Sequence, residues 1–130
     1  MESKGERRIR EILEEAGVPF QQEYSFPQLR SLKGQPLRFD FIIFEEGGTG
    51  TRALIEFQGE QHYRFVEHFS KSKPQWDYAR MNDYLKCRFS LMSHIPLYCI
   101  PYTELPNLRS LQDLLNDKFL VKTKYHMYDS

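Results

Sequence analysis

Two carboxylates stand inside apolar runs. Asp40 interrupts Phe39-Asp40-Phe41-Ile42-Ile43-Phe44, and Glu56 interrupts Ala53-Leu54-Ile55-Glu56-Phe57. A charge in such a run is costly to desolvate unless a cation or a set of donors meets it. Two interruptions on adjacent strands point to a shared site. Together with a backbone carbonyl, such as that of Phe57, they form an oxygen set that suits Mg²⁺ or Mn²⁺. A cation there can hold a phosphate and make an attacking water more acidic, which is the chemistry of phosphodiester hydrolysis. The plainer alternative is a structural salt-bridged pair, for which Arg38, Arg52 and Arg64 are available partners.

Other residues could complete such a site. Gln58 shares a strand face with Glu56 by alternation. An amide orients water or donates to a phosphate oxygen, but it supplies no charge. A lysine elsewhere must then do so, and Lys86 is the first candidate. His62 follows Gln58 by four residues and can shuttle a proton or contact phosphate; with Gln61 it can equally close a local hydrogen-bond network. Asp83 lies one helical turn before Lys86, either as a structural ion pair or as a group that positions Gln61, His62 or phosphate. Arg30, Lys33, Arg38, Lys71, Lys73, Arg80 and Arg88 can line a nucleic-acid path or form a solvated charged surface.

These residues need elements to hold them. Residues 3–17 read as an amphipathic helix with Ile9, Ile12, Leu13 and Ala16 on its buried side, stopped by Gly17 and Pro19. Glu6 sits close to that apolar stripe. Residues 20–26 read as a short strand whose Phe20, Gln22, Tyr24 and Phe26 share a face, followed by a basic connection from Pro27 to Pro36. The runs 38–44 and 51–58 form an antiparallel hairpin across the glycine-rich turn Glu45-Glu46-Gly47-Gly48-Thr49-Gly50. A loop ending at Pro74 opens a helix over 75–90, then Leu97-Tyr98-Cys99-Ile100 forms a strand. A last helix is expected over 104–120, burying Leu108, Leu111, Leu114 and Leu115, with 121–130 as a peripheral tail. The order predicts a single α/β domain over 1–130, with a central mixed sheet flanked by helices.

The 130 residues, 40% of them hydrophobic, are enough to bury one core. Lysine plus arginine and aspartate plus glutamate are both 18, which speaks against a protein that only coats nucleic acid by counterion release. Cys87 and Cys99 are too few for a disulfide scaffold and read as free thiols. No run approaches the roughly 20 apolar residues of a membrane span, and no signal peptide is visible, so a cytoplasmic chain is expected.

The combined pattern resembles the PD-(D/E)xK nuclease superfamily. Its restriction-endonuclease-like core is an αβββαβ arrangement carrying an Asp and a Glu-x-Lys on a hairpin, matched here by Asp40 and Glu56-Phe57-Gln58. Glutamine replaces the usual lysine, and Phe39 stands where a proline often precedes the aspartate. The resemblance is closer to the branch of very short patch repair mismatch endonucleases and phage homing endonucleases. It rests on Leu37 to Phe41, Ile55 to Tyr63, Asp83 with Lys86, and Ile95 to Tyr102. It implies a catalytic part for His62 and a further metal ligand in Glu6, for which a helix salt bridge to Arg10 is the alternative. The two cysteines cannot supply the zinc ligands of the mismatch enzymes. A Mg²⁺- or Mn²⁺-dependent endodeoxyribonuclease of homing or nicking type is therefore expected, aided by a homodimer or an additional DNA-recognition domain. The alternatives are a non-catalytic DNA-binding or assembly module and an RNA-directed nuclease.

Overall fold

The structure is a computed structural model that describes residues 2–48, 50–59 and 72–126. Helix α1 spans Lys4–Ala16. Ser3 and Glu6 close a capping box at its start, each side chain taking the other residue's backbone N–H, and Gly17 ends it in the left-handed region. Three strands follow: β1 Phe20–Arg30, β2 Pro36–Phe44 and β3 Thr51–Gln58. Helix α2, Lys73–Ser93, starts at the Ser72 cap with Pro74 in its first turn, and β4 spans Leu97–Pro101. The strands form one sheet in the order β1-β2-β3-β4, antiparallel except for the parallel β3–β4 pair. The protein is thus α/β with a four-stranded mixed sheet.

A core lies on each face of that sheet. On one face Ile9, Ile12 and Leu13 of α1 pack on Phe41, Ile43, Ala53, Ile55 and Ile100. On the other, Cys87 of α2, with Leu85 and Phe89 beside it, packs on Phe39, Ile42, Leu54, Leu97 and Cys99. Both cysteines are free thiols, as expected, and the structure buries them. Among the described residues no helix is long and apolar enough to cross a membrane.

Four expectations need correction. Strand β1 runs past Phe26 to Arg30, so the connection to β2 is a tight turn rather than a ten-residue segment. Its side chains also do not keep to one face: Phe20 joins the α1 core, whereas Tyr24 and Phe26 join the α2 core. Glu23, at φ 54°, adopts a left-handed backbone that inverts the alternation. Strand β2 inverts at the facing position, since Phe39 lies in the α2 core and Phe41 in the α1 core, with Asp40 between them.

The last helix is broken as well. A 3₁₀ turn over Tyr102–Asn107 contains Pro106, a four-residue α3 spans Leu111–Leu114, and a second 3₁₀ turn covers Asp117–Phe119. Pro106 lacks the N–H that a continuous helix needs, and Ser110 and Asn116 each start a new turn. The expected leucines still bury: Leu108 and Leu114 fully, Leu111 and Leu115 in part. The tail begins inside the fold, because Val121 is buried and its N–H donates to Leu97 O at 2.8 Å.

Gly5 sets how closely α1 approaches the sheet. A Cβ added there would stand 2.2 Å from ring carbons of Phe57. The Gly5→Ala variant is expected to lose about 1–2 kcal/mol of stability, overpacking outweighing the better helix propensity of alanine. A urea midpoint that falls at unchanged slope is the result that checks it.

Candidate active site

The β2–β3 ladder stops at the pair Phe41 and Ile55. Continuing its register would set Asp40 opposite Glu56, and there the side chains take over the hydrogen bonding. Asp40 N–H donates to Glu56 Oε2 at 2.8 Å, and Phe57 N–H donates to Asp40 Oδ2 at 2.8 Å. Each carboxylate thereby satisfies a backbone donor beside the other. The bond to Glu56, which Lys86 pairs, is of the charge-assisted kind that contributes about 1.5–3 kcal/mol, and the two bonds together hold both carboxyl groups against rotation.

Helix α2 delivers the cation. Lys86 Nζ lies 2.8 Å from Glu56 Oε1, with only 16% of the lysine side chain and 6% of the glutamate side chain exposed. Of the arginines considered as partners for these carboxylates, Arg38 and Arg52 do not take this place, and Arg64 lies outside the described residues. Burial works to lower the Lys86 pKa, but the charges of Glu56, Asp83 and Asp40 outweigh it and raise the pKa, so the ammonium stays protonated. Its Nζ also lies 5.7 Å from the centre of the Phe39 ring. Asp83, one turn earlier, is buried.

The balance of charge is uneven: Glu56, Asp40 and the buried Asp83 all act on one ammonium. The Asp40 carboxyl is pushed up to about 8, first by burial and next by the charge of Glu56, and Glu6 adds to the rise. The Phe57 N–H and Lys86 pull the other way and do not prevail. A divalent ion would relieve this excess. Asp40, Glu56 and the Phe57 carbonyl are chemically suited to hold one, because Mg²⁺ is commonly held by one or two carboxylates and completes its shell with water and phosphate oxygens. Among the described residues, however, no three His, Cys, Asp or Glu side chains converge as a metal-binding group. Glu6 is near enough to act on Asp40 but uses Oε1 to cap α1. Arg10 pairs with Glu2 and Glu14 rather than with Glu6. A cleft lined by Glu2, Glu6, Gln22 and Glu23 opens on the α1 side.

Gln58 is buried, 2% exposed, on the same strand as Glu56. Gln61, His62 and Lys71 lie outside the described residues. The basic candidates fall into separate groups. Arg30, Lys33 and Arg38 are exposed around the β1–β2 turn, Lys73 and Arg80 flank the Trp76 ring at 4.7 and 4.9 Å, and Arg88 is exposed farther along α2. Sequence reasoning missed Gly5, Ser3 and Cys99. Ser3 and Glu6 could have been found from the Ser-x-x-Glu spacing of a capping box. Cys99 sits opposite Glu56 in the β3–β4 register and hydrogen-bonds Cys87; that bond and burial raise its thiol pKa, so it lines the site as an unreactive, uncharged group.

The Asp40 shift fixes the sign of a pH effect. Its folded pKa, about 8, exceeds the ordinary 3.8, so the folded state binds this proton more tightly than the unfolded chain does. The contribution is fully present below about pH 4 and is lost as pH rises to about 8. In metal-free buffer, urea midpoints of the wild type should fall over that window more steeply than those of Asp40→Asn. Parallel curves would contradict the assignment.

No family model and no solved structure matches the chain. It is 31% identical, over 117 aligned residues, to uncharacterized protein 307L of Invertebrate iridescent virus 6. The alignment covers 78% of this chain and 57% of the viral protein, so the chain spans a little over half the length of that relative.

Proposed function

We propose that the protein is a divalent-metal-dependent endonuclease that hydrolyses phosphodiester bonds in DNA. The observation that carries this reading is the Lys86 ammonium, delivered from α2 to within 2.8 Å of Glu56 beside Asp40. It supplies the charge that Gln58 cannot. The element order α1, β1, β2, β3, α2, β4 and the placement of both carboxylates where β2 and β3 part support a restriction-endonuclease-like core of the PD-(D/E)xK type with a Glu-x-Gln motif.

In this mechanism Asp40 and Glu56, with the Phe57 carbonyl, would hold the metal, Mg²⁺ or Mn²⁺. When bound, the ion supplies Lewis-acid stabilisation of phosphate charge and a more acidic water. Water attacks phosphorus and gives up a proton to solvent, while the bond to the leaving oxygen breaks and that oxygen takes a proton from solvent. Lys86, fully protonated, is no base; it holds Glu56 in place and donates toward charge developing on the phosphate. Gln58 orients the water or a phosphate oxygen through its amide. Burial of the group keeps these electrostatic contacts strong.

A second reading draws on the backbone bonds of both carboxylates: Asp40 and Glu56 act only as structure in a DNA-binding module. Incubation with supercoiled plasmid and with labelled duplex, single-stranded and RNA substrates in Mg²⁺, Mn²⁺ or chelator separates the two. Metal-dependent DNA cleavage is expected, reduced about 10³-fold or more in Glu56→Ala and about 10²-fold in kcat by Lys86→Met. Equal cleavage by the folded variants, or none by the wild type in any metal, would favour the structural reading.

A further inference from the structure

The turn between β1 and β2 is unusually well fastened for a loop tip. Ser31 N–H donates to Gln35 O at 2.8 Å and Gly34 N–H to Ser31 O at 2.9 Å. The Ser31 hydroxyl also accepts from the N–H groups of Lys33 and Gln35 at 3.3 and 3.2 Å. Arg30 crosses the turn to Gly34 O at 3.0 Å. From α2, the Tyr78 hydroxyl donates to Ser31 Oγ, and the Lys33 ammonium lies over the Tyr78 ring at 4.6 Å.

At the apex of this rigid turn stands Leu32, 72% exposed and the most exposed large hydrophobic among the described residues. Arg30 and Lys33 flank it, and Arg38 is exposed on the returning strand. A lone exposed leucine is ordinary. A leucine held out on a pinned turn between cations is the chemistry of a side chain that enters a step between stacked bases while its neighbours meet the phosphates.

We infer that this turn is a duplex-DNA wedge, with Leu32 as the inserting side chain and Arg30, Lys33 and Arg38 as phosphate contacts. The inference rests on the nuclease reading for its choice of DNA. Two structural rulers relate the tip to Asp40 and Glu56. From Gln35 to Asp40, β2 rises about 17 Å at roughly 3.4 Å per residue. From Tyr78 to Lys86, α2 rises about 12 Å at 1.5 Å per residue. At about 3.4 Å per base pair, a duplex lying along these elements would meet the wedge roughly three to five base pairs from the cut phosphate. A wedge at that offset unstacks and bends the duplex toward the site.

The test uses the full chain and a short duplex carrying 2-aminopurine at a TA step, whose fluorescence rises on unstacking. In Ca²⁺ the wild type should bind and raise the fluorescence. Leu32→Ser should abolish the rise and weaken duplex binding about tenfold. Met92→Ser, which alters a residue 69% exposed near the far end of α2, should change neither. An undiminished rise with Leu32→Ser, binding without a rise in the wild type, a preference for single strands, or a Leu32-dependent self-association in place of DNA binding would each overturn the wedge. Cleavage of the same duplex in Mg²⁺ is scored separately. A Leu32-dependent rise without cleavage leaves the wedge standing and sinks the nuclease, and cleavage without the rise does the reverse.

Discussion

Asp40 and Glu56 meet one ammonium where the β2–β3 ladder ends, with Asp83 buried one turn before Lys86, and most of the fold can be read as what this imbalance requires. Glu56 is neutralised by Lys86, while Asp40 is left with the Phe57 N–H and a neighbouring negative charge. Removing one partner of a buried ion pair typically costs about 3–5 kcal/mol. Lys86 must therefore arrive in one place, and the elements around it determine that place. Helix α2 is anchored at one end by its Ser72 cap and the Tyr78 bond to Ser31, and along its length by Cys87 and Phe89 in the core. The contact of Phe89 with Phe26 and Phe39, at ring distances of 4.8 and 6.2 Å, fixes the helix one turn beyond Lys86.

The opposite face makes a matching contribution. Gly5 lets α1 close onto Phe57, whose N–H holds Asp40 and whose carbonyl belongs to the proposed ligand set. The same close approach brings Glu6 within electrostatic reach of Asp40. The site thus sits in the sheet itself, with one helix on each side: α1 brings negative charge and α2 positive charge. The face inversion at Glu23 and Asp40 fits this arrangement. It turns Asp40 toward the gap between β2 and β3, where it can meet Phe57, and lets Phe39 support Lys86 from the α2 side.

Much of this was legible in the residues. Asp40 and Glu56 stood out because apolar runs make charge conspicuous, and Lys86 was singled out because an amide at position 58 leaves a deficit of positive charge. The end of α1 followed from Gly17 and Pro19, and the start of α2 from Pro74. What stayed hidden depended on tertiary packing or on a single backbone conformation. Nothing in the type of Glu23 announces a left-handed backbone. Gly5 reads as an ordinary weak helix residue until Phe57 is placed beside it. The leucine spacing after residue 104 was right about burial and wrong about helix, because Pro106, Ser110 and Asn116 override periodicity locally.

The central claim is that Asp40 and Glu56 bind a divalent ion in place of the proton that Asp40 otherwise holds. Calorimetric titration of Mn²⁺ into the protein at pH 7, repeated in buffers of different ionisation enthalpy, counts the protons released per ion. With the Asp40 carboxyl near 8, the account predicts stoichiometric binding with release of about one proton, and loss of both in Asp40→Asn. Absence of binding, or binding and proton release unchanged in Asp40→Asn, would contradict it.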